Sequence, residues 1–394
     1  MTRLDDIDLT VATVWNDSQI GRWARTGSVD RRVASIFGSR QTQLTGHGRA
    51  PGDVPAVDDT RIVAHAALAR AEGLTFLYLL NGLCRHLDFT DMAIQRRLQE
   101  DLDWIAGDVQ ADGVVVADIR VARLIRQRYS AERLPIRIST IAAVRKPEDL
   151  GPWLPLDIDG VVLHHDAGRD FGLLRNLVEF LNNNAPSVQI ELLVNEACVP
   201  HCFAREAHYI RLAREVLGYD EGFQQNCNVP RMLDPAILLS ARWIRPEDLN
   251  RYTDLGIRRF KIAGREMSAS WLDRAVAAYL SGRHIGNLVE LLTMTPPGLD
   301  VTASDIVFIS NDALDGFLDA LSSWKGPERE FYERWATQLW NRGAFRVRDP
   351  GSEYDTSSGA PRCTRPGHYL ERLISLGQQS DPVFAKRSFS HGRA

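Results

Sequence analysis

Cysteine is the residue type in this chain whose spacing points most directly to chemistry. In the segment LLVNEACVPHCFAREAH, residues 192–208, an apolar run ends at Asn195, and Cys198 and Cys202 follow in a C-x₃-C spacing. Cys84 follows an earlier apolar run, and Cys227 lies in the polar stretch QQNCNVP. Converging thiolates suit zinc or an iron–sulfur cluster. A single close pair is also compatible with buried small residues, so both interpretations stay open at this point.

The order of predicted elements decides where these cysteines would lie. Short apolar or β-branched runs alternate with amphipathic segments, among them residues 59–71, 171–182 and 270–281. Eight strands alternating with helices indicate a (β/α)₈ TIM-type barrel in the α/β class. The eight predicted strands are residues 33–37, 75–80, 113–117, 136–141, 160–163, 189–194, 241–244 and 259–262.

The alternation fades near residue 300. We therefore predict a barrel over residues 1–295, and over residues 296–394 a C-terminal helical extension with a Gly-, Ser- and Pro-rich tail that is expected to be mobile. The fifth cysteine, Cys363, lies in that tail.

Barrel enzymes carry their chemistry at the carboxyl ends of the strands. Glu196 and His208 could transfer protons there, while the pair His164–His165 could relay protons or simply hydrogen bond to a loop. Arginines at these ends suit bidentate binding of a carboxylate. The predicted substrate-binding residues are Asn81, Ser139, Asn195, Arg205, Arg245, Lys261 and Arg265.

Composition narrows the classes of partner. The formal net charge is −4, and no Lys/Arg-rich tract occurs, which argues against a nucleic-acid ligand. No apolar run reaches the roughly 20 residues that a membrane helix needs. The N-terminus MTRLDDIDLT lacks the pattern of a signal peptide, so a cytoplasmic location and reduced thiols are expected.

Several stretches together resemble one known family. They are FLYLLNGLC, RISTIAAV, ELLVNEACVPHCFAREAHY, WIRPEDLNRYTDLGIRRFKIAGR and YLSGRHIGNL, and the resemblance runs from about residue 33 to about residue 290. They are similar to the collagenase-like peptidase superfamily, family thirty-two of the unassigned peptidases. The layout of one early and three later cysteines is nearest to the oxygen-independent iron–sulfur hydroxylases of the ubiquinone pathway.

The resemblance implies a TIM-type fold and a 4Fe–4S cluster held by Cys84, Cys198, Cys202 and Cys227. It also implies hydroxylation of a small molecule, with prephenate as an oxygen donor and a heteromeric partner of the same family. RNA-base hydroxylation is disfavoured by the charge. Arg205 stands where a radical-SAM cluster would need a third cysteine.

Two other functions stay open. One is a peptidase or hydrolase, as the family name suggests, although no G-x-S-x-G or H-E-x-x-H motif occurs and only a pairing of Cys198 or Cys202 with His208 would imitate a cysteine protease. The other is a non-catalytic subunit of a heteromeric hydroxylase.

Overall fold

The computed structural model describes residues 6–28, 30–214, 221–294 and 302–347. These residues form two compact units. The first contains those up to residue 195 together with residues 201–214 and 243–283, and the second contains residues 196–200, 221–242 and the described residues from 284 onward. Cys363 and the rest of the predicted tail lie outside the described residues.

The first unit is a closed barrel of eight parallel strands, which confirms the predicted fold class. The barrel closes where β8 pairs with β1, in a register that runs from Asp8 opposite Arg259 to Val11 opposite Ile262. The strands are β1 (Ile7–Ala12), β2 (Arg31–Gly38), β3 (Thr75–Leu80), β4 (Gly113–Val116), β5 (Ile136–Ile138), β6 (Gly160–Val162), β7 (Gln189–Leu193) and β8 (Arg259–Ile262).

One of the eight predicted strands is wrong. Residues 241–244 do not form a strand, because β7 pairs directly with β8 and leaves no place between them. This segment is buried, and Ile244 donates one backbone hydrogen bond to the Val194 carbonyl, at 2.8 Å. Its apolar character therefore reflects burial and not strand pairing. The missing barrel strand is β1, at the start of the chain.

Helices follow the strands, and the three amphipathic segments named above are confirmed as helices. Their first turns are capped by side chains: Asp58 accepts a hydrogen bond from the Arg61 amide, Asp170 from Leu173 and Ser268 from Trp271. The helices of the first unit are α1 (Asp17–Arg25), α2 (Asp59–Ala71), α3 (Met92–Gly107), α4 (Ile119–Arg128), α5 (Pro147–Leu150), α6 (Phe171–Asn184), α7 (Arg205–Leu212), α10 (Asn250–Thr253) and α11 (Ala269–Ser281). The second unit contains α8 (Glu221–Leu233) and α9 (Pro235–Ser240).

The inside of the barrel contains charged side chains. Phe260 packs edge-on against Tyr252 of α10 and so faces the outer helices, which turns its neighbour Lys261 toward the interior. On β5 and β7 the buried Arg137 and Glu191 approach each other to 3.6 Å. TIM-barrel interiors are usually filled by branched apolar residues, so ionisable groups at these positions require a separate explanation.

The second unit has its own apolar core. An antiparallel pair joins β9 (Val307–Ile309) to β10 (Phe345–Val347), and the helices α12 (Ala303–Ile306), α13 (Phe317–Ser323) and α14 (Glu328–Asn341) accompany it. Phe317 contacts Phe331, Tyr332 and Trp335 at ring-centroid distances of 5.2–6.3 Å. Within the described part of the chain, every helix is too short or too polar to cross a lipid bilayer.

Candidate active site

A cleft of about 560 Å³ opens at the carboxyl ends of β4, β5 and β6 in the first unit. This is the face on which barrel enzymes bind their substrates. We call it the strand-end cleft. It is lined by Leu83, Arg85, Ala117, Asp118, Ile119, Arg120, Ile141, Ala142, Ala143, Arg145, Pro152, Trp153, His164, Cys202, Phe203, Arg205, Glu206 and Tyr209.

Local sequence fixes the polar groups of the cleft at the strand ends. Asp118 follows β4 and caps α4 by accepting a hydrogen bond from the Arg120 amide. Ser139 follows β5 and caps the short turn that carries Ile141 into the cleft. His164 follows β6 and accepts from the Asp166 amide. Each cap orients the residue just beyond a strand, so the polar side chains converge without long loops.

One wall of the cleft is an arginine–carboxylate pair. The Arg120 guanidinium donates to both oxygens of Asp118, at 3.0 and 2.6 Å, and to the Cys84 carbonyl at 2.7 Å. Burial raises the pKa of Asp118, but the hydrogen bonds from Arg120 outweigh burial and hold this pKa below its usual value. This pair therefore stays ionised and joins the loop after β3 to the start of α4.

The opposite wall is built on Asp166. Arg205 donates to Asp166 Oδ1 at 3.1 Å and to His164 Nε2 at 2.9 Å, and Arg145 approaches the same imidazole nitrogen at 3.3 Å. The Asp166 amide approaches Nδ1 of the same ring at 3.2 Å, so the neutral imidazole meets a donor at each nitrogen and can accept from only one of them at a time. The Nε2 side of His164 is thus covered by two arginines.

His164, which lines the cleft, and the adjacent buried His165 are both held neutral. Burial, the adjacent ring of His165 and the Arg205 guanidinium lower the pKa of His164 to about 3. Burial and the Arg205 charge also lower the pKa of His165 to about 3, and its Nε2 lies 2.7 Å from the hydroxyl of Tyr209. The folded barrel therefore excludes protons that the same residues bind when unfolded.

Replacing His165 by Gln should weaken the pH dependence of stability. An unfolded histidine titrates near 6.5, so below that pH only the unfolded state takes up the proton, and stability falls as pH is lowered toward 3. We expect His165→Gln to retain about 2 kcal/mol of unfolding free energy that wild type loses between pH 6.5 and 5.0. Urea unfolding at both pH values measures this. The exposed His201, changed to Asn, should keep the wild-type slope. An unchanged slope in His165→Gln would refute the assignment.

The surroundings of Cys84 favour a neutral thiol. It is fully buried, and its Sγ lies 3.2 Å from the Thr45 carbonyl and 3.3 Å from the Gly82 carbonyl. Burial and the nearby Asp118 carboxylate raise the pKa of this thiol to about 12. Among the residues that the structure describes, no three His, Cys, Asp or Glu side chains are grouped so as to hold a metal ion.

The other three cysteines lie on different parts of the fold. Cys202 lines the strand-end cleft, while Cys198 and Cys227 belong to the second unit, where Cys227 Sγ is 3.6 Å from the Arg231 guanidinium. The four-cysteine cluster stays a prediction.

Three of the predicted substrate-binding residues lie at strand ends of the first unit. Asn195 hydrogen bonds through both side-chain atoms to the backbone of Ala263, at 2.8 and 2.9 Å, and so ties the end of β7 to that of β8. Ser139 caps its turn. Asn81 is buried, and its Oδ1 has no hydrogen-bond partner among the described residues, so it remains available to a ligand.

The predicted cationic residues are distributed over separate places. Arg205 lies in the strand-end cleft, and Lys261 and Arg265 lie on and just after β8. Arg245 binds Asp248 through two nitrogens, at 2.9 and 3.2 Å, and is buried with it. Asp248 binds this arginine from the short helical turn Pro246–Asp248 that directly follows it.

The two predicted proton-transfer residues belong to different units. Glu196 is in the second unit, where Thr293 donates to it at 3.3 Å. His208 is in the first unit and stacks on the ring of Tyr209, with 6.0 Å between ring centroids. Residues that sequence reasoning missed are Arg145, Asp166 and Tyr209. The position of Asp166 just after β6 was the signal that could have identified it.

Comparisons with known proteins support part of the resemblance. No protein-family model matches the chain. The chain is 26% identical over 290 residues to an uncharacterized protease of Methanocaldococcus jannaschii. The matched region covers 72% of this chain and 80% of that protein. The chain is therefore similar to a protein that is named as a protease. The finer relation to iron–sulfur hydroxylases has no support in it.

Solved structures with lower similarity include a U32 peptidase, 16% identical, with a TM-score of 0.47 over 67% of this chain and 95% of that chain. A beta-1,4-mannanase is 9% identical, with a TM-score of 0.39 over 72% of this chain and all of the other.

Proposed function

We propose that this protein is a hydrolase that cleaves an amide bond in a small, carboxylate-bearing substrate bound in the strand-end cleft. The observation that carries the proposal is that the cleft combines a thiol, Cys202, with the neutral imidazole of His164 and the guanidinium groups of Arg145 and Arg205. The similarity to a protein named as a protease favours hydrolysis over other reactions.

Charge supports an anionic substrate. Of the four arginines that line the cleft, Arg120 is paired with Asp118, Arg85 with Glu206 and Arg205 with Asp166. Arg145 is the most weakly paired of the four, because its guanidinium is 3.7 Å from the Asp166 carboxylate, and its side chain is about half exposed. A substrate carboxylate would gain charge-assisted hydrogen bonds from Arg145 at little cost in desolvation.

Binding of the carboxylate also prepares the base. If Arg145 and Arg205 turn toward the substrate, His164 Nε2 is uncovered and the positive charge beside it is neutralised. Both changes raise the pKa of His164 toward the range in which it can accept a proton.

The reaction then has two balanced steps. Cys202 Sγ attacks the amide carbon while its proton passes to His164, which delivers it to the leaving nitrogen, so that an amine departs and a thioester remains. Water then attacks the thioester, giving back the thiol and releasing the acid.

The test is a hydrolysis assay with short peptides and N-acyl amino acids, each offered with a terminal carboxylate and as the matched terminal amide. We expect cleavage of the carboxylates only, and in Arg145→Gln a KM raised about tenfold or more, with a smaller change in kcat. Arg85→Gln removes an exposed arginine of the same rim and should behave like wild type. Cleavage of no substrate, or equal cleavage of the amides, would reject the proposal.

A further inference from the structure

A second group of cations lies at the ends of β8 and β2 and is not part of the strand-end cleft. Lys261 is on β8, Arg265 follows that strand by three residues, and Arg49 is in the loop after β2. All three belong to the barrel unit. Lys261 and Arg265 are each more than nine-tenths buried.

The ammonium of Lys261 lacks a counterion within the described residues. Its Nζ lies 3.9 Å from the ring centroid of Phe37, and it makes no hydrogen bond or ion pair with the part of the chain that the structure describes. A cation–π contact repays only a fraction of the cost of removing an ammonium from water. The ammonium therefore has hydrogen-bond donors with no acceptor among the described residues.

Arg265 is in a similar position. Its Nη1 donates to the Ser39 hydroxyl at 2.9 Å, and it forms no ion pair with the described residues. The neighbouring carboxylate, Glu266, is 3.0 Å from Arg49 Nε. Glu266 is thus engaged by Arg49, while neither Lys261 nor Arg265 forms an ion pair with a described carboxylate.

The carboxylate of Glu191, whose charge acts on Lys261, does not serve as its ion-pair partner. Glu191 is fully buried on β7, its nearest ionic partner is Arg137 at 3.6 Å, and neither carboxylate oxygen has a hydrogen-bond partner among the described residues. Arg137 brings a further positive charge of its own.

We propose that the barrel mouth at Lys261 and Arg265 binds a small anion through a carboxylate or phosphate group. Such a ligand would supply the acceptor that Lys261 lacks and a charged partner for Arg265. The carboxyl ends of the last strands are a place where barrels commonly bind phosphate. The proposal concerns a site separate from the cleft and does not depend on hydrolysis.

Electrostatics gives this binding a pH dependence. Burial lowers the pKa of Lys261 to about 8; Glu191 opposes the shift, and Arg137, Arg265 and Arg49 add to it. A bound anion would favour the ammonium, so binding takes up a proton above pH 8. Affinity should accordingly be full below about pH 7.5 and fall by up to about tenfold per pH unit above 8.

Isothermal titration with succinate and with inorganic phosphate, between pH 6.5 and 9.5, tests the site. At least one anion should bind, with the decline just described. Lys261→Arg, which stays charged, should bind without that decline, and Lys261→Gln should bind at least about tenfold more weakly at pH 6.5. Binding of succinate alone identifies a dicarboxylate site, and binding of phosphate alone identifies a phosphoryl site.

Two controls separate this site from the cleft and from misfolding. Arg145→Gln should keep wild-type binding of the anion, since that residue belongs to the strand-end cleft. Thermal unfolding of Lys261→Arg and Lys261→Gln shows whether each variant is folded at the temperature of the titration. Absence of millimolar binding of either anion at pH 6.5, or binding that Lys261→Gln leaves unchanged, would overturn the proposal.

Discussion

Cys202→Ala should reduce hydrolysis by about a thousandfold or more, because removing the nucleophile leaves only the contribution of binding and charge. The folded state should be little affected, since the side chain is partly exposed in the cleft and its thiol is replaced by a hydrogen. The measurement is the single-turnover rate on the peptide that wild type cleaves best. Cys363→Ala, at a position outside the described residues, is the matched control for loss of a thiol and should cleave normally.

The same variant decides between the hydrolase and the iron–sulfur prediction. If Cys84, Cys198, Cys202 and Cys227 hold a cluster, anaerobically purified protein should contain about four iron and four sulfide per chain. Cys202→Ala should then lose both together with its visible absorbance. Iron-free wild type that retains hydrolysis in air supports the hydrolase. Four iron atoms that disappear in Cys202→Ala, with no cleavage by wild type, would reject the hydrolase.

The barrel could be predicted because its strands are short, β-branched and separated by helices of regular period. Val114, Val115 and Val116 of β4 are fully buried, as expected for a strand covered on both faces. The error at residues 241–244 has the same cause, since an apolar run signals burial without saying which groups its backbone pairs with. The alternation of Ile7, Leu9 and Val11 in β1 was visible, and it would have completed the eight strands.

The candidate site was only partly predictable. Position after a strand predicts that Asn81 and Ser139 lie at the carboxyl-end face, and they directly follow β3 and β5; their role in binding a substrate stays a prediction. The position of a residue after a strand could not show which carboxylate each arginine would pair with. Asp248 lies three residues after Arg245 and binds it, whereas Asp166 reaches Arg205 from a position 39 residues away. Pairs that are distant in sequence depend on the closed barrel, and nothing in local spacing encodes them.

The charged barrel interior gives the largest expected effect on stability. Arg137→Met should destabilise the protein by about 3–5 kcal/mol, because it leaves the Glu191 carboxylate buried without its arginine. Burial opposes the charge of Arg137, and the charges of Glu191 and Asp159 outweigh it and raise the pKa of Arg137. Gly160, on the strand between them, leaves room for this guanidinium, since a Cβ there would lie 3.2 Å from its Nε.

A double-mutant cycle separates the cost of leaving the Glu191 carboxylate unpaired from the interaction energy between Arg137 and Glu191. Arg137→Met with Glu191→Leu replaces both charges by apolar groups, so we expect the double variant to recover at least about 2 kcal/mol relative to the sum of the single losses. Urea unfolding measures the free energy of unfolding of wild type, both single variants and the double variant.

The exposed pair Arg329–Glu333, at 2.8 Å on α14, is the matched control, and changing either residue should cost less than about 1 kcal/mol. Additive losses in the barrel pair would mean that Arg137 and Glu191 are stabilised independently. The interior would then hold each charge through other groups, such as Asp159 for Arg137 and Lys261 for Glu191.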